Sequence, residues 1–174
     1  MNPNSALTTK WNGITQILNT EAGVSIPFSL QDVKDQKINV DIKNYKAIWD
    51  TGATFSVITS KVVKEVDLKP IGITRVHTAN GEAHQKQYLI NLYLPNKVVF
   101  GLLRVTEAPL YQTDILIGMD IISKGDFCLS NLNNETILTF RIPSCKKFDF
   151  VEEHRIVKLP RAERRRLEKD RAKI

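Results

Sequence analysis

The feature that most constrains the fold is a pair of alternating runs on either side of an Asn-Gly dipeptide. Residues 73–78 and 88–94 alternate polar and apolar side chains, which is the two-residue period of a half-buried β-strand. Asn80-Gly81 lies between them, and a type I′ turn requires two residues that tolerate positive φ, as Asn and Gly do. The sequence therefore predicts a β-hairpin at this point of the chain.

Short β-favouring runs extend this pattern along most of the sequence. They predict further strands at residues 14–18, 24–28, 37–42, 47–49, 55–58, 98–105, 115–117 and 136–142. Residues 60–66 form the single short internal helix candidate. Many short strands with one helix indicate an all-β domain with a closed, barrel-like sheet, which we expect to span residues 11–143.

The positive charge of the chain lies at one end. The formal net charge is +6, with 25 Lys and Arg against 19 Asp and Glu, yet nine of the basic and only three of the acidic residues fall between 155 and 174. Residues 144–174 thus form a basic tail, and the segment after Pro160 has the composition of an exposed helix. A solvated extension is the favoured interpretation of such a tail, and we do not expect nucleic acid as a partner.

Other features bear on compartment and cofactors. No apolar run approaches the ~18 residues that cross a bilayer, residues 1–9 lack the apolar core of a secretory signal, and two cysteines are too few for a disulfide framework. His77 and His84 do not have metal-ligand spacing. We therefore expect a soluble, cytoplasmic protein with no membrane partner, metal or cofactor.

One segment carries a chemical signal. Residues 47–49 are an apolar strand that ends at Asp50, and Thr51-Gly52-Ala53 follows as a tight loop. A carboxylate at the end of a buried strand is costly unless it is hydrogen-bonded, and small loop residues let backbone N–H groups approach it. This arrangement predicts an acidic group held rigidly at the floor of a cleft.

Two plainer interpretations also fit this segment. An aspartate can simply cap an ordinary β-turn through a hydrogen bond to its own backbone. Residues 50–54 also match the Asp-x-Gly-x-Thr phosphate loop of actin-like ATPases. Those folds need two βαβ halves and several helices, which this chain does not offer.

Asp50-Thr51-Gly52-Ala53 resembles the active-site motif of the retropepsin-like aspartic proteases. That family has a second motif of two apolar residues and a glycine further along the chain, and residues 116–118, with Ile117-Gly118, supply it. The predicted hairpin lies between the two motifs, where the family has its flap. Residues 116–127 resemble the bacterial single-domain members more than the retroviral ones.

The resemblance implies an acid-protease fold and an aspartic endopeptidase that hydrolyses peptide bonds of a polypeptide substrate. The attacking water is activated by two Asp50 carboxylates, one from each subunit of a homodimer, because the chain has one Asp-Thr-Gly. The implied site consists of catalytic Asp50, an active-site loop, flap residues and the second motif: Thr51, Gly52 and Ala53; Ala79, Asn80 and Gly81; Ile117 and Gly118.

The chain also departs from the retroviral pattern. Retroviral enzymes carry an Asp where this chain has Thr54, and an Arg or Asn pair where it has Met119-Asp120. Two rival functions are a catalytically silent, dimeric binding module with the retropepsin fold and a nucleic-acid-associated protein that binds through its tail. The intact Asp-Thr-Gly favours the enzyme over the first rival. Outside residues 155–174 the chain has 16 basic and 16 acidic residues, and this balance of charge argues against the second rival.

Overall fold

The computed structural model describes residues 6–28, 40–78 and 81–158. The chain divides into two compact units, Met1–Ser144 and Cys145–Ile174. All of the strands in the described part of the chain belong to the first unit. In the second unit the described residues form one helix. None of the helices built from described residues is long and apolar enough to cross a membrane.

The first unit is mainly β-structure, as predicted. Its described strands are β1 (Ala6–Asn12), β2 (Asn19–Ser25), β3 (Lys43–Trp49), β4 (Val57–Ile58), β5 (Gly72–Thr78), β6 (Gly81–Tyr93), β7 (Val99–Glu107), β8 (Ile115–Ile117), β9 (Asp126–Ser130) and β10 (Glu135–Arg141). Two short helices, α1 (Ser60–Val66) and α2 (Met119–Ile122), and a 3₁₀ turn (Leu132–Asn134) interrupt them; α3 (Phe150–Val157) lies in the second unit.

Seven strands form one sheet in the order β2-β3-β8-β4-β7-β6-β5. The sheet is mixed: β3 pairs in parallel with β8 and β4 with β7, and the other pairs are antiparallel. It curls so that β2 also pairs with β6. Because β5 continues beyond β6 and pairs only with β6 among the described residues, the sheet retains an edge, and it is barrel-like rather than the closed barrel that the sequence predicted.

A second, antiparallel sheet has the order β1-β10-β9. It contributes Phe127 and Phe140 to the core, where their ring centroids lie 5.7 and 5.1 Å from that of Trp49 in β3. The same hydrophobic core includes fully buried apolar side chains from both sheets and α2: Val24, Ala47, Ile58, Ile90, Leu92, Ile115, Ile117, Ile121 and Leu138. The strands β3 and β8 are thus fixed in the core as far as their last residues, Trp49 and Ile117.

Several predicted elements are confirmed. The helix at residues 60–66 and the strand at residues 115–117 have the expected limits, and the hairpin is present as β5 and β6. Its register pairs Thr78 with Gly81, so Gly81 is the first residue of β6 rather than part of the loop, with a φ of 110° that favours glycine. The connecting residues, Ala79 and Asn80, lie outside the described residues.

Other element predictions were wrong. Residues 14–18 form no strand, and the strand predicted at 24–28 is β2, which begins at Asn19 and includes Gly23. A Cβ on Gly23 would come 2.7 Å from Cγ2 of Ile42, so this glycine permits close packing and does not break the strand. Residues 40–42 of the strand predicted at 37–42 are not in a strand, and the rest of it lies outside the described residues, as does the helix expected after Pro160.

Candidate active site

Asp50 follows directly after the buried end of β3. The Trp49 side chain is held there by the two phenylalanine rings and by a hydrogen bond from its indole N–H to Oγ1 of Thr20, 3.1 Å away. The amide of Asp50 donates to the carbonyl of Ile117, the last residue of β8, at 3.0 Å. Asp50 itself is half-buried. Its backbone is therefore fixed by both family motifs while its carboxylate reaches the surface.

The Asp-Thr-Gly turn sets the orientation of the carboxylate. The amide of Gly52 donates to Oδ1 of Asp50 at 2.8 Å, and the amide of Ala53 donates to the carbonyl of Asp50 at 3.3 Å. A Cβ on Gly52 would lie 3.1 Å from Oδ1, so a larger residue would crowd this bond. Oδ2 accepts no hydrogen bond from any residue that the structure describes, and it is the oxygen available to a ligand or a second carboxylate.

The sheet order explains the path of the loop that carries Asp50. Because β8 lies between β3 and β4, residues 50–56 must cross the end of β8 to reach β4. Gly118 lies at the crossing point, where a Cβ would be 2.7 Å from the carbonyl carbon of Phe55 and 2.9 Å from the carbonyl oxygen of Ala53. The amides of Met119 and Asp120 donate to the carbonyls of Ala53 and Thr54 at 2.8 and 3.1 Å. The second motif needs a glycine because the first motif passes directly over it.

Two polar residues that the sequence analysis did not select join the motifs through their side chains. The hydroxyl of Ser56 donates to Oδ1 of Asp120 at 2.8 Å and accepts the amide N–H of Gly118 at 3.1 Å. The amide of Ser56 donates to Oδ2 of Asp120 at 3.0 Å. Each is a polar residue inside an apolar run, which is the signal that could have identified them.

The predicted site residues fall into two groups. Asp50, Gly52 and Ala53 are joined by hydrogen bonds to each other or to Ile117 and the residues after Gly118. Thr51 belongs to the same turn and is exposed, as is Gly52. Among the predicted flap residues, Gly81 begins β6 at the tip of the hairpin, whereas Ala79 and Asn80 lie outside the described residues. The placement of this hairpin over a substrate remains a prediction.

Another part of the surface, away from Asp50, also forms a depression. An open depression of about 470 Å³, lined by Tyr45, Lys46 and Asp114 among others, lies at the start of β3 and β8. Asp50 follows the opposite end of β3. In the part of the chain that the structure describes, no three His, Cys, Asp or Glu side chains are grouped as a metal site would require.

Comparison with known proteins places the same segment in one family. Residues 36–124, just over half of the chain, match the family model described as gag-polyprotein putative aspartyl protease. This range includes Asp50, the hairpin and Gly118. No curated protein sequence matches the chain.

Solved structures with a similar arrangement include a retropepsin-like aspartic protease from Rickettsia conorii, which has 16% identity and a TM-score of 0.48 over 79% of this chain and 96% of that one. The EIAV protease, complexed with an inhibitor, has 15% identity and a TM-score of 0.44 over 63% and 88% of the two chains. The protease of Simian Foamy Virus (mac) has 25% identity and a TM-score of 0.38 over 62% and 92%. On the strength of the family match, the chain belongs to the gag-polyprotein aspartyl protease family.

Proposed function

We propose that the protein is an aspartic endopeptidase that cleaves polypeptides with a water molecule held between two Asp50 carboxylates. The observation that carries the proposal is the state of the Asp50 side chain. One of its oxygens is fixed by the Gly52 amide, and the other accepts no hydrogen bond from the described residues. A half-exposed carboxylate that is held in one orientation with an open oxygen is suited to activating a water.

The chemistry needs a second carboxylate. Two facing carboxyl groups that share one proton supply both a base for the water and an acid for the scissile carbonyl. The chain has one Asp-Thr-Gly, so the second group has to come from Asp50 of another copy across a two-fold axis. We therefore propose a homodimer as the active form.

Each residue of the motifs then has a role in the proposed reaction. The charged Asp50 takes a proton from the water, and the protonated Asp50 of the other subunit polarises the substrate carbonyl. Thr51, Gly52 and Ala53 form the loop that fixes each carboxylate, and Ile117 and Gly118 support that loop. Ala79, Asn80 and Gly81 form a flap that closes over the substrate and excludes water.

The shared proton also sets the pH dependence of the proposed activity. Two close carboxylates cannot both ionise easily, so the pair titrates as a unit and is active only when it carries one proton. The rate should follow a bell on the acidic-to-neutral side. A rate that continues to rise at alkaline pH would indicate a different nucleophile.

The test is digestion of an unfolded protein at acidic pH by the wild type and by Asp50→Asn, with peptide products identified by mass spectrometry. Asn has nearly the shape of Asp but cannot act as the base, so cleavage should disappear while the fold is kept. Cleavage by the Asp50→Asn protein would contradict the proposal. Absence of cleavage by a folded, dimeric wild type would favour the silent binding module instead.

A further inference from the structure

The side chains of Ser56 and Asp120 form a hydrogen-bonded bridge that connects the two family motifs. Ser56 is the last residue of the loop before β4, and Asp120 lies in the first turn of α2, directly after Gly118 and Met119. The Ser56 side chain is completely buried. A buried hydroxyl has to find hydrogen-bond partners, and in this position Asp120 and the Gly118 amide supply them.

The bridge consists of three hydrogen bonds among Ser56, Asp120 and Gly118. Ser56 donates once from its hydroxyl and once from its amide, and each bond ends on a different oxygen of the Asp120 carboxylate, at 2.8 and 3.0 Å. The same hydroxyl accepts the Gly118 amide at 3.1 Å. Because a carboxylate accepts with both oxygens, Asp120 suits this place better than an amide side chain, which would turn a donor toward a donor.

The bridge acts on the loop that carries Asp50. Its backbone is tied to β8 and α2 at Asp50, Ala53 and Thr54. The bridge adds a fourth attachment at Ser56, the point where the loop turns into β4. Together, these four attachments determine the position of the Asp50 carboxylate relative to the rest of the subunit. In a dimer, that position decides whether two carboxylates come close enough to share a proton.

On this basis we infer that Ser56 and Asp120 are positioning residues of the active site: their hydrogen-bonded bridge holds the Asp50 loop where two loops can place their carboxylates face to face. The inference rests on the proposed function. It assigns to these residues no contact with substrate or with the reacting water. They act through the loop.

The test compares the kinetics of Ser56→Ala and Ser56→Thr with those of the wild type. Ser56→Ala removes the hydroxyl and should lower kcat by about 10- to 100-fold, because a misplacement on the order of 1 Å at a reacting group costs about that much. KM should change little, because substrate-binding groups are untouched. Ser56→Thr keeps the hydroxyl and should restore most of kcat.

A matched control separates positioning from general destabilisation. Thr136 in β10 is also fully buried, and its hydroxyl likewise accepts a backbone amide, that of Thr15 at 3.0 Å, and donates to a side-chain oxygen, that of Asn131 at 2.7 Å. Thr136→Ala should lower thermal stability as Ser56→Ala does, but it should leave kcat unchanged in the folded protein.

The pH profile supplies a readout that loss of stability alone does not move. If the bridge keeps the two carboxylates close, then loosening it weakens their coupling and brings their two pKa values together. The bell of kcat against pH should become narrower in Ser56→Ala and return to its wild-type width in Ser56→Thr.

The outcomes distinguish this inference from the proposed function. A folded Ser56→Ala protein with the kcat and pH width of the wild type would overturn the inference and leave the role of Asp50 intact. If Ser56→Ala does not fold, Asp120→Asn, which preserves the shape of the side chain, makes the same comparison: lower kcat with a narrower bell supports the bridge, and unchanged kinetics overturn it. A wild type without Asp50-dependent cleavage would remove the proposed function, and the inference with it.

Discussion

Gly118 lies directly beneath Phe55, and a Cβ built on Gly118 would come within 2.7 Å of the Phe55 carbonyl carbon and 2.8 Å of its carbonyl oxygen. Real Cβ atoms do not approach backbone atoms so closely, and both partners here are main chain that cannot rotate away. The crossing of the loop that carries Asp50 over the end of β8 therefore depends on the absence of a side chain at residue 118.

Gly118→Ala is expected to push the loop away from β8. The strain should lower the free energy of unfolding by about 1–3 kcal/mol, the usual cost of overpacking a buried site. The cleavage rate should fall by more than the loss of folded protein explains, because the displaced loop carries Asp50. Chemical denaturation and a cleavage assay on the folded protein measure the two effects.

Gly72→Ala is the matched control for this substitution. A Cβ on Gly72, at the start of β5, meets nothing within 4 Å, and its φ is not in the left-handed region. The control should leave stability and cleavage unchanged. Equal effects of the two alanine variants would show that the close approach at Gly118 is not what the loop requires.

Tyr88 makes the stability of the fold depend on pH in the alkaline range. It is a core residue of β6 whose hydroxyl donates to Oε2 of Glu107 at 2.8 Å, and burial, followed by this bond, raises its pKa to about 12 from the ordinary value of 10.0. A raised pKa means that the folded state favours the protonated form. This contribution is complete below pH 10 and is lost as the pH rises from about 10 to about 12.

We therefore expect the free energy of unfolding of the wild type to fall by roughly 2–3 kcal/mol more than that of Tyr88→Phe over this range, since one pKa unit corresponds to about 1.4 kcal/mol. Urea titrations below pH 10 and near pH 12 measure the difference. Parallel losses in the two proteins would show that Tyr88 is not the group responsible.

Removal of residues 145–174 should leave cleavage intact. Both family motifs, the hairpin and the Ser56–Asp120 bridge lie in the first unit, which ends at Ser144. The basic charge of residues 155–174 is removed with the tail. Cleavage rates of the truncated and full chains should agree. Loss of activity in a truncated protein that unfolds at the same temperature as the full chain would mean that the tail takes part in the reaction or in the dimer.

The sequence predicted the two motifs that the structure brings together better than it predicted the residues that join them. Asp50 and Gly118 could be found because each stands in a short motif whose residue types are dictated by the backbone path. Ser56 and Asp120 were missed because their partnership joins residues far apart in sequence. The strand β1 was missed for the same reason: it has one buried residue, Leu7, and it is a strand because it pairs with β10 at the other end of the domain.

By contrast, α3 was missed although its local signal was readable. Asp149 precedes the helix and accepts the amide of Glu152 at 3.0 Å, as a helix-capping aspartate does. This bond, the largest cause, holds the pKa of Asp149 below its usual value. The pattern of Asp followed three residues later by Glu was present in the sequence before the apolar and charged residues of the helix.

Two matched variants, one at the proposed site and one control, are used to test the proposal that two carboxylates form each active site. Asp50→Asn removes the charge at the site. Asp67→Asn makes the same change at the end of α1, where Asp67 has a φ of 56° that Asn tolerates, and its exposed ion pair with Lys69 contributes little to stability. Each variant is unfolded together with wild type in known proportions and refolded, so that subunits combine at random.

The measurement is the specific cleavage rate as a function of the wild-type fraction at constant total protein. If each active site takes Asp50 from two chains, only wild-type pairs are active, and an equal mixture with Asp50→Asn should retain about a quarter of the wild-type rate. The mixture with Asp67→Asn should retain all of it. A rate of about half for the Asp50→Asn mixture, in direct proportion to the wild-type fraction, would show that each chain works alone and would contradict the proposal.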